Sequence, residues 1–213
     1  MELQVALDFD FSVEKAEETT REVREYADIV EAGTPFLMEW GLEGVTALKK
    51  AFPDKKILAD LKIADAGYRE AENAFLAGAD IVTVLAITDD VTIQNTVKAA
   101  RTYGKKVMAD MLAEKDMRKR LVEIDQMGVD YICLHTSKDL QKLGNNVSEA
   151  FAELKKFVST AKVALAGGIN EESIAQYAAI QPDVIVVGEG ITLKENPGQA
   201  AAHVKDKMRK YEE

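Results

Sequence analysis

The sequence holds too little cysteine, too little basic charge and too few breaks in composition for several kinds of protein. One cysteine, Cys133, stands among 213 residues, so no intramolecular disulfide can form and a disulfide-stapled secreted scaffold is excluded. A reducing, cytoplasmic setting is the expectation. The neighbours in Tyr131-Ile132-Cys133-Leu134 assign that thiol to core packing. The 27 Lys and Arg are outnumbered by 37 Asp and Glu, for a net charge of −10. Nucleic acid and anionic membrane surfaces repel such a chain, so neither is expected as a partner, although a local cationic pocket for phosphate stays compatible. No segment approaches the ~20 apolar residues of a spanning helix, and the start Met1-Glu2-Leu3-Gln4-Val5 lacks a basic region followed by an apolar stretch. The 4 prolines are scattered and no Gly/Ser-rich linker interrupts the chain, so one domain over residues 1–213 is expected.

What is present is the balance of a globular protein, with 47% hydrophobic and 30% charged residues. Short runs rich in Val, Ile, Leu and Ala alternate with amphipathic stretches, which is the pattern of buried parallel strands followed by helices. Eight such runs are readable: Leu3 to Phe9, Ile29 to Ala32, Lys56 to Leu61, Ile81 to Leu85, Val107 to Met111, Tyr131 to His135, Val163 to Ala166 and Val184 to Val187. Ser12 stands before the first amphipathic stretch as an N-cap candidate. Eight strand–helix units predict an α/β fold, a closed (β/α)₈ TIM barrel. An open doubly wound sheet is the alternative, but Leu7-Asp8-Phe9-Asp10 occupies the place where its glycine-rich turn belongs.

An internal repeat supports the count. Asp28, Asp80, Asp130 and Asp183 each lead into an apolar run and stand 52, 50 and 53 residues apart, about two strand–helix units per interval. They mark the starts of the even strands. Helix-closing and strand-opening turns explain each instance singly. The regular interval needs the barrel.

Barrel enzymes draw their active-site groups from the C-terminal strand ends. There the chain places Asp8, Glu31, Asp60, Lys62, Asp65, Asp110 and His135. Charged groups amid apolar neighbours must meet one another, a metal or a ligand, because burial strips their hydration. Asp60 and Lys62, two apart on a strand, are expected on one side, with Asp65 in the following turn, each charge holding its neighbour ionised. His135 is the candidate for proton transfer, its reference pKa of about 6.5 lying near neutrality. Gly167 and Gly168, then Gly188 and Gly190, follow the last two strands, where backbone N–H groups of such barrels receive phosphate. His203 is expected on the surface of the terminal helix.

The segments Leu3-Gln4-Val5-Ala6-Leu7-Asp8, Glu31-Ala32-Gly33-Thr34-Pro35, Leu58-Ala59-Asp60-Leu61-Lys62 with Asp65-Ala66-Gly67, His135-Thr136, Ala166-Gly167-Gly168-Ile169 and Val187-Gly188 together resemble the orotidine monophosphate decarboxylase suprafamily. Its third strand carries the Asp-x-Lys-x-x-Asp pattern, and the resemblance is closest to the 3-hexulose-6-phosphate synthase branch. That resemblance implies a Mg²⁺ site with Glu31 and Asp60 as ligands or close outer partners. It implies Asp60, Lys62, Asp65, Asp110 and His135 as catalytic residues, and Asp8 with the four glycines as substrate-binding. It further implies an aldol addition of formaldehyde to ribulose 5-phosphate through an enediolate, and a homodimer in which Asp65 reaches toward the neighbour's site. Three positions depart from the pattern: Glu189, where a small residue or an arginine is usual, Ser137 in place of glycine, and Met111-Leu112-Ala113-Glu114-Lys115 after Asp110. A carboxylate at 189 repels phosphate unless it turns away. Three other readings stay open: 3-keto-L-gulonate 6-phosphate decarboxylase, a metal-free aldolase with a Schiff base on Lys62, and a non-catalytic sugar-phosphate sensor.

Overall fold

The computed structural model describes residues 1–8, 12–141 and 148–212. Eight parallel strands close a barrel in sequence order, β1 (Glu2–Leu7), β2 (Ile29–Ala32), β3 (Lys56–Ile63), β4 (Ile81–Leu85), β5 (Lys106–Asp110), β6 (Tyr131–His135), β7 (Lys162–Ala166) and β8 (Val184–Val187). Helices follow the strands: α1 (Val13–Val23), α2 (Thr34–Ala51), α3 (Gly67–Leu76), α4 (Asp90–Tyr103), α5 (Met117–Gln126), α6 (Lys138–Gln141), α7 (Ser148–Lys155), α8 (Ile174–Ala178), α9 (Glu189–Thr192) and α10 (Pro197–Arg209). The ring closes where Glu2 of β1 pairs with Val184 of β8. The expected TIM barrel is the observed fold.

The near-continuous apolar strands serve two cores at once, because successive side chains point to opposite faces. Leu3, Val5 and Leu7 join Val30, Ile57, Val82 and Val107 in the larger core beneath the helices. The alternate residues Ile29, Leu58, Ile81, Met108, Tyr131 and Val184 fill the barrel interior. Each such side chain contributes roughly 1.5–3 kcal/mol by leaving water. Ser12 caps α1 as expected, its Oγ accepting the Lys15 N–H at 3.2 Å.

The aspartate repeat has a common physical cause. Asp28, Asp80, Asp130 and Asp183 accept the N–H groups of Leu3, Ile57, Val107 and Val163 at 2.8, 2.9, 3.0 and 2.8 Å. Each aspartate also donates its own N–H to the carbonyl of that same residue. The four carboxylates therefore stitch the start of each even strand to the strand before it, at the end of the barrel opposite the strand C-termini.

Strand boundaries differ from expectation at the ends. β1 stops at Leu7, ahead of Asp8, and Phe9 lies outside the described residues. β5 and β7 each begin one residue earlier, and β5 ends at Asp110 rather than Met111. β3 runs to Ile63 instead of Leu61, with a bulge in which Ala59 pairs with Val82 and Ile63 with Val84. Lys62 sits in that bulge at φ 49°, in the left-handed region, and its N–H donates to Thr83 Oγ1 at 2.8 Å. Asp60 and Lys62 do share a side, but simple strand alternation is not the reason.

Candidate active site

A cavity of about 640 Å³ opens at the C-terminal end of the barrel. Every candidate from the sequence except Asp65 lines it: the carboxylates Asp8, Glu31, Asp60 and Asp110, then Lys62 and His135, and Gly167, Gly168, Gly188 and Gly190. Inward-facing apolar residues such as Met108 and Cys133 form its floor, so the polar groups replace the apolar layers only at the top of the strands. Cys133 is buried as expected, and burial pushes its thiol pKa up.

Asp60, 6% exposed, is held by three side-chain donors. Its Oδ2 accepts from Lys62 Nζ at 2.6 Å and from Thr34 Oγ1 at 2.7 Å, and its Oδ1 accepts from Thr83 Oγ1 at 2.8 Å. Thr83 thus holds both ends of the motif, accepting from the Lys62 backbone and donating to the Asp60 carboxylate. Neither Thr34 nor Thr83 is singled out by the sequence, where a threonine in a strand or at a helix start carries no chemical signal.

Lys62 Nζ also lies 3.3 Å from Asp110 Oδ2. Burial lowers the lysine pKa, but the charges of Asp60 and Asp110 more than offset it and hold the ammonium protonated, above its ordinary range. The second carboxylate on Lys62 is therefore Asp110 from β5, not Asp65 as the motif suggests. Asp65 is exposed, outside the cavity, and accepts the N–H of Ala66. On its other side Asp110 meets His135 Nδ1 at 3.1 and 3.0 Å. Burial raises the Asp110 pKa, yet the His135 hydrogen bond and the charges of His135 and Lys62 prevail and hold it below the usual carboxylate range.

Glu31 and Asp8 have few cations to offset them. Glu31 is 7% exposed and its Oε2 accepts from Gln4 Nε2 at 2.6 Å. Burial, then the charges of Asp60 and Asp8, push its pKa well above the ordinary value. Burial and the Asp60 charge likewise raise Asp8 to about 6. Gln4 is 2% exposed, and its own Oε1 has no hydrogen-bond partner among the described residues. Its part in the site could not be read from a strand pattern that shows it only as an inward position.

The glycines make room. A Cβ on Gly188 would lie 2.6 Å from Asp8 Oδ2, and one on Gly33 would lie 2.3 Å from Asp8 Oδ1 and 2.6 Å from the Leu7 carbonyl oxygen, so the Asp8 carboxylate sits between two turns whose glycines leave it room. Glu189, the departure expected to disfavour phosphate, is turned into an ion pair with Lys138. His203 lies on the surface, its side chain 53% exposed.

The donor set suits a hard divalent cation. Among the described residues no three His, Cys, Asp or Glu side chains enclose a metal position. Mg²⁺, however, commonly takes one or two carboxylates and fills the rest of its octahedron with water and substrate oxygens. Glu31 has one oxygen without a hydrogen bond among the described residues, and Asp60 retains acceptor capacity beyond its three bonds. The mutual repulsion of Asp8, Glu31 and Asp60 is the electrostatic condition that an added cation relieves. Glu31 and Asp60 could hold it.

Comparison with known proteins agrees with this geometry. The orotidine 5'-phosphate decarboxylase / HUMPS family matches residues 1–204. The 3-hexulose-6-phosphate synthase of Bacillus subtilis is 46% identical over 205 residues, covering 96% of this chain and 97% of that protein. The protein of the same name from Staphylococcus haemolyticus is 41% identical, covering 97% and 98%. Among solved structures, 3-hexulose-6-phosphate synthase from Salmonella typhimurium superposes with a TM-score of 0.95 at 36% identity, over 99% of this chain and 100% of that one. KGPDC from Streptococcus mutans, solved as a ligand complex, superposes with a TM-score of 0.91 at 27% identity, over 99% and 98%. These relatives are enzymes, and they match along almost the whole chain. The protein belongs to the orotidine 5'-phosphate decarboxylase / HUMPS family.

Proposed function

We propose that the protein catalyses the 3-hexulose-6-phosphate synthase reaction, a Mg²⁺-dependent aldol addition of formaldehyde to ribulose 5-phosphate through an enediolate, within one domain spanning residues 1–213. The observation that carries this reading is the charge chain Asp60–Lys62–Asp110–His135 in the wall of a single cavity, found in a chain whose relatives bear that name.

Glu31 and Asp60 would hold the metal. When bound, Mg²⁺ supplies a Lewis acid that makes a proton beside a ketose carbonyl more acidic and favours the negative charge that follows. The remaining chemistry falls to the chain itself. His135 has its Nδ1 committed to Asp110, which leaves Nε2 to take the C1 proton of ribulose 5-phosphate. The Lys62 ammonium, kept protonated by Asp60 and Asp110, neutralises charge on the resulting enediolate. Its C1 carbon then bonds to the carbon of formaldehyde, and the proton held by His135 returns to the new alkoxide, so the former C1 becomes C2 of a 3-hexulose 6-phosphate. Backbone N–H groups around Gly167, Gly168, Gly188 and Gly190 receive the phosphate.

Asp65 stands outside its own cavity, and Met38, Leu76, Ile87 and Val91 are exposed at 83, 70, 52 and 61%. Both features support pairing with a second copy, to whose site Asp65 belongs. No helix among the described residues is long and apolar enough to cross a membrane.

A decarboxylase acting on 3-keto-L-gulonate 6-phosphate would use the same groups, and the likeness to KGPDC favours that second reading. The Schiff-base route is disfavoured, since two carboxylates hold Lys62 as a non-nucleophilic ammonium. The pairing of Glu189 with Lys138 removes the feature that spoke for a sensor. The deciding experiment is formaldehyde-dependent consumption of ribulose 5-phosphate that stops with a chelator and returns with Mg²⁺. Persistence in chelator with borohydride trapping of Lys62, CO₂ release from 3-keto-L-gulonate 6-phosphate at a much higher kcat/KM, or binding without turnover would each replace this reading by one of the others.

A further inference from the structure

We propose that Lys138 and Glu189 form an exchange latch at the cavity mouth, in which the substrate's phosphate displaces Glu189 from the Lys138 ammonium. The inference rests on the sugar-phosphate reading above and adds to it a specificity-determining pair.

Lys138 opens α6 beyond β6, and Glu189 opens α9 beyond β8. The two therefore flank the β7 turn with Gly167 and Gly168, and all four residues line the cavity. Lys138 Nζ donates to Glu189 Oε1, joining the two loops. Their side chains are 58% and 46% exposed, so the pair sits at the rim and not in the floor. Even so, the Lys138 charge is felt inside, where it acts against the raised pKa of Asp8. Lys194 adds a further cation to the same lining.

An ion pair with that exposure is screened by water and contributes little, so little is lost when it opens. A phosphate monoester brings nearly two negative charges and three acceptor oxygens, and the flexible ammonium of lysine suits it as a mobile point charge. With phosphate docked against the glycine turns, Lys138 passes from the carboxylate to a phosphate oxygen and Glu189 turns to water. No covalent bond is made or broken. The empty site keeps its cation positioned, and ligands without a phosphate fail to draw it over. An acidic residue at position 189 is compatible with phosphate binding on these terms, because its charge is spent on Lys138 until the ligand arrives.

The test is calorimetric titration of the full chain with D-ribulose 5-phosphate and with inorganic phosphate, using unphosphorylated D-ribulose as control. Lys138→Met is expected to weaken both phosphate probes about five- to tenfold, and Lys138→Arg, which keeps the charge, to retain most of the affinity. Glu189→Gln removes the competitor and is expected to tighten both about two- to fivefold. Glu189→Gln weakening the phosphate probes as Lys138→Met does would show that the intact pair builds the site, and would overturn the latch. Unchanged affinities in both variants, with the unaltered protein binding well, would also overturn it. An unaltered protein that binds neither phosphate probe removes the sugar-phosphate reading itself, and the latch with it.

Discussion

His135 Nδ1 faces both carboxylate oxygens of Asp110, at 3.1 and 3.0 Å, across adjacent strands of the barrel. This contact fixes the ring and leaves Nε2 as the nitrogen available for proton transfer. Asp110→Asn keeps the shape but loses the charge that faces both the ring and Lys62. The expected result is a kcat lowered by about 100- to 10,000-fold, with KM for ribulose 5-phosphate changed far less, in steady-state kinetics. A variant with near-normal kcat would take away the proton-transfer role of His135.

Gln4 supports Glu31 from below, with Nε2 to Oε2 at 2.6 Å. Groups that orient a metal-binding carboxylate usually matter by about 10- to 100-fold in metal affinity. Gln4→Leu is accordingly expected to raise the Mg²⁺ dissociation constant by that factor, read by calorimetry on the protein without substrate. Equal affinities would mean that Glu31 takes no part in holding the ion.

Asp80 represents the repeat at the opposite end of the barrel. It accepts from Ile57 N–H at 2.9 Å and from Lys49 and Lys105 Nζ at 2.8 and 2.7 Å. Burial raises its pKa, but the bonds from Lys105, Lys49 and Ile57 together lower it. A carboxylate with a depressed folded pKa contributes stability that is complete above its unfolded value, about 3.9, and is lost as pH falls through the folded value. Asp80→Asn should therefore lower Tm at pH 7 by about 3–8 °C, and the gap should shrink from pH 5 toward pH 3. A gap that does not depend on pH would rule out the ionised form as the source.

Under the proposed pairing Asp65 serves a neighbouring copy, and activity should then be recoverable by mixing. Asp65→Ala and Lys62→Ala are each expected to be inactive alone. Mixed and allowed to exchange subunits, they should recover about a quarter of normal activity, since half of randomly formed dimers are mixed and each of these has one complete site. No recovery, with exchange verified by light scattering or labelled subunits, would confine Asp65 to its own chain.

Much of this protein was readable from local pattern. Apolar runs alternating with amphipathic stretches, supported by the spacing of Asp28, Asp80, Asp130 and Asp183, predicted eight strands in a closed barrel, because each signal depends on residues a few positions apart or on a repeated unit. Strand-end position likewise identified Asp8, Glu31, Asp60, Lys62, Asp110 and His135 as groups that share one cavity. Threonine and glutamine gave no such sign. Thr34, Thr83 and Gln4 look like ordinary strand or turn residues until the barrel closes around Asp60 and Glu31.

What only the tertiary structure decided is who meets whom. Lys62 finds Asp110, 48 positions away, because a bulge tips it into the left-handed region, while the nearby Asp65 is carried outward by the following turn. Glu189 finds Lys138, 51 positions away, because both lie on the same rim. Local sequence determines which face of a strand a side chain occupies, through the backbone's period of two. It carries no distance between strands, and electrostatic partnership depends on distance, so the pairing of charges waits for the closed sheet.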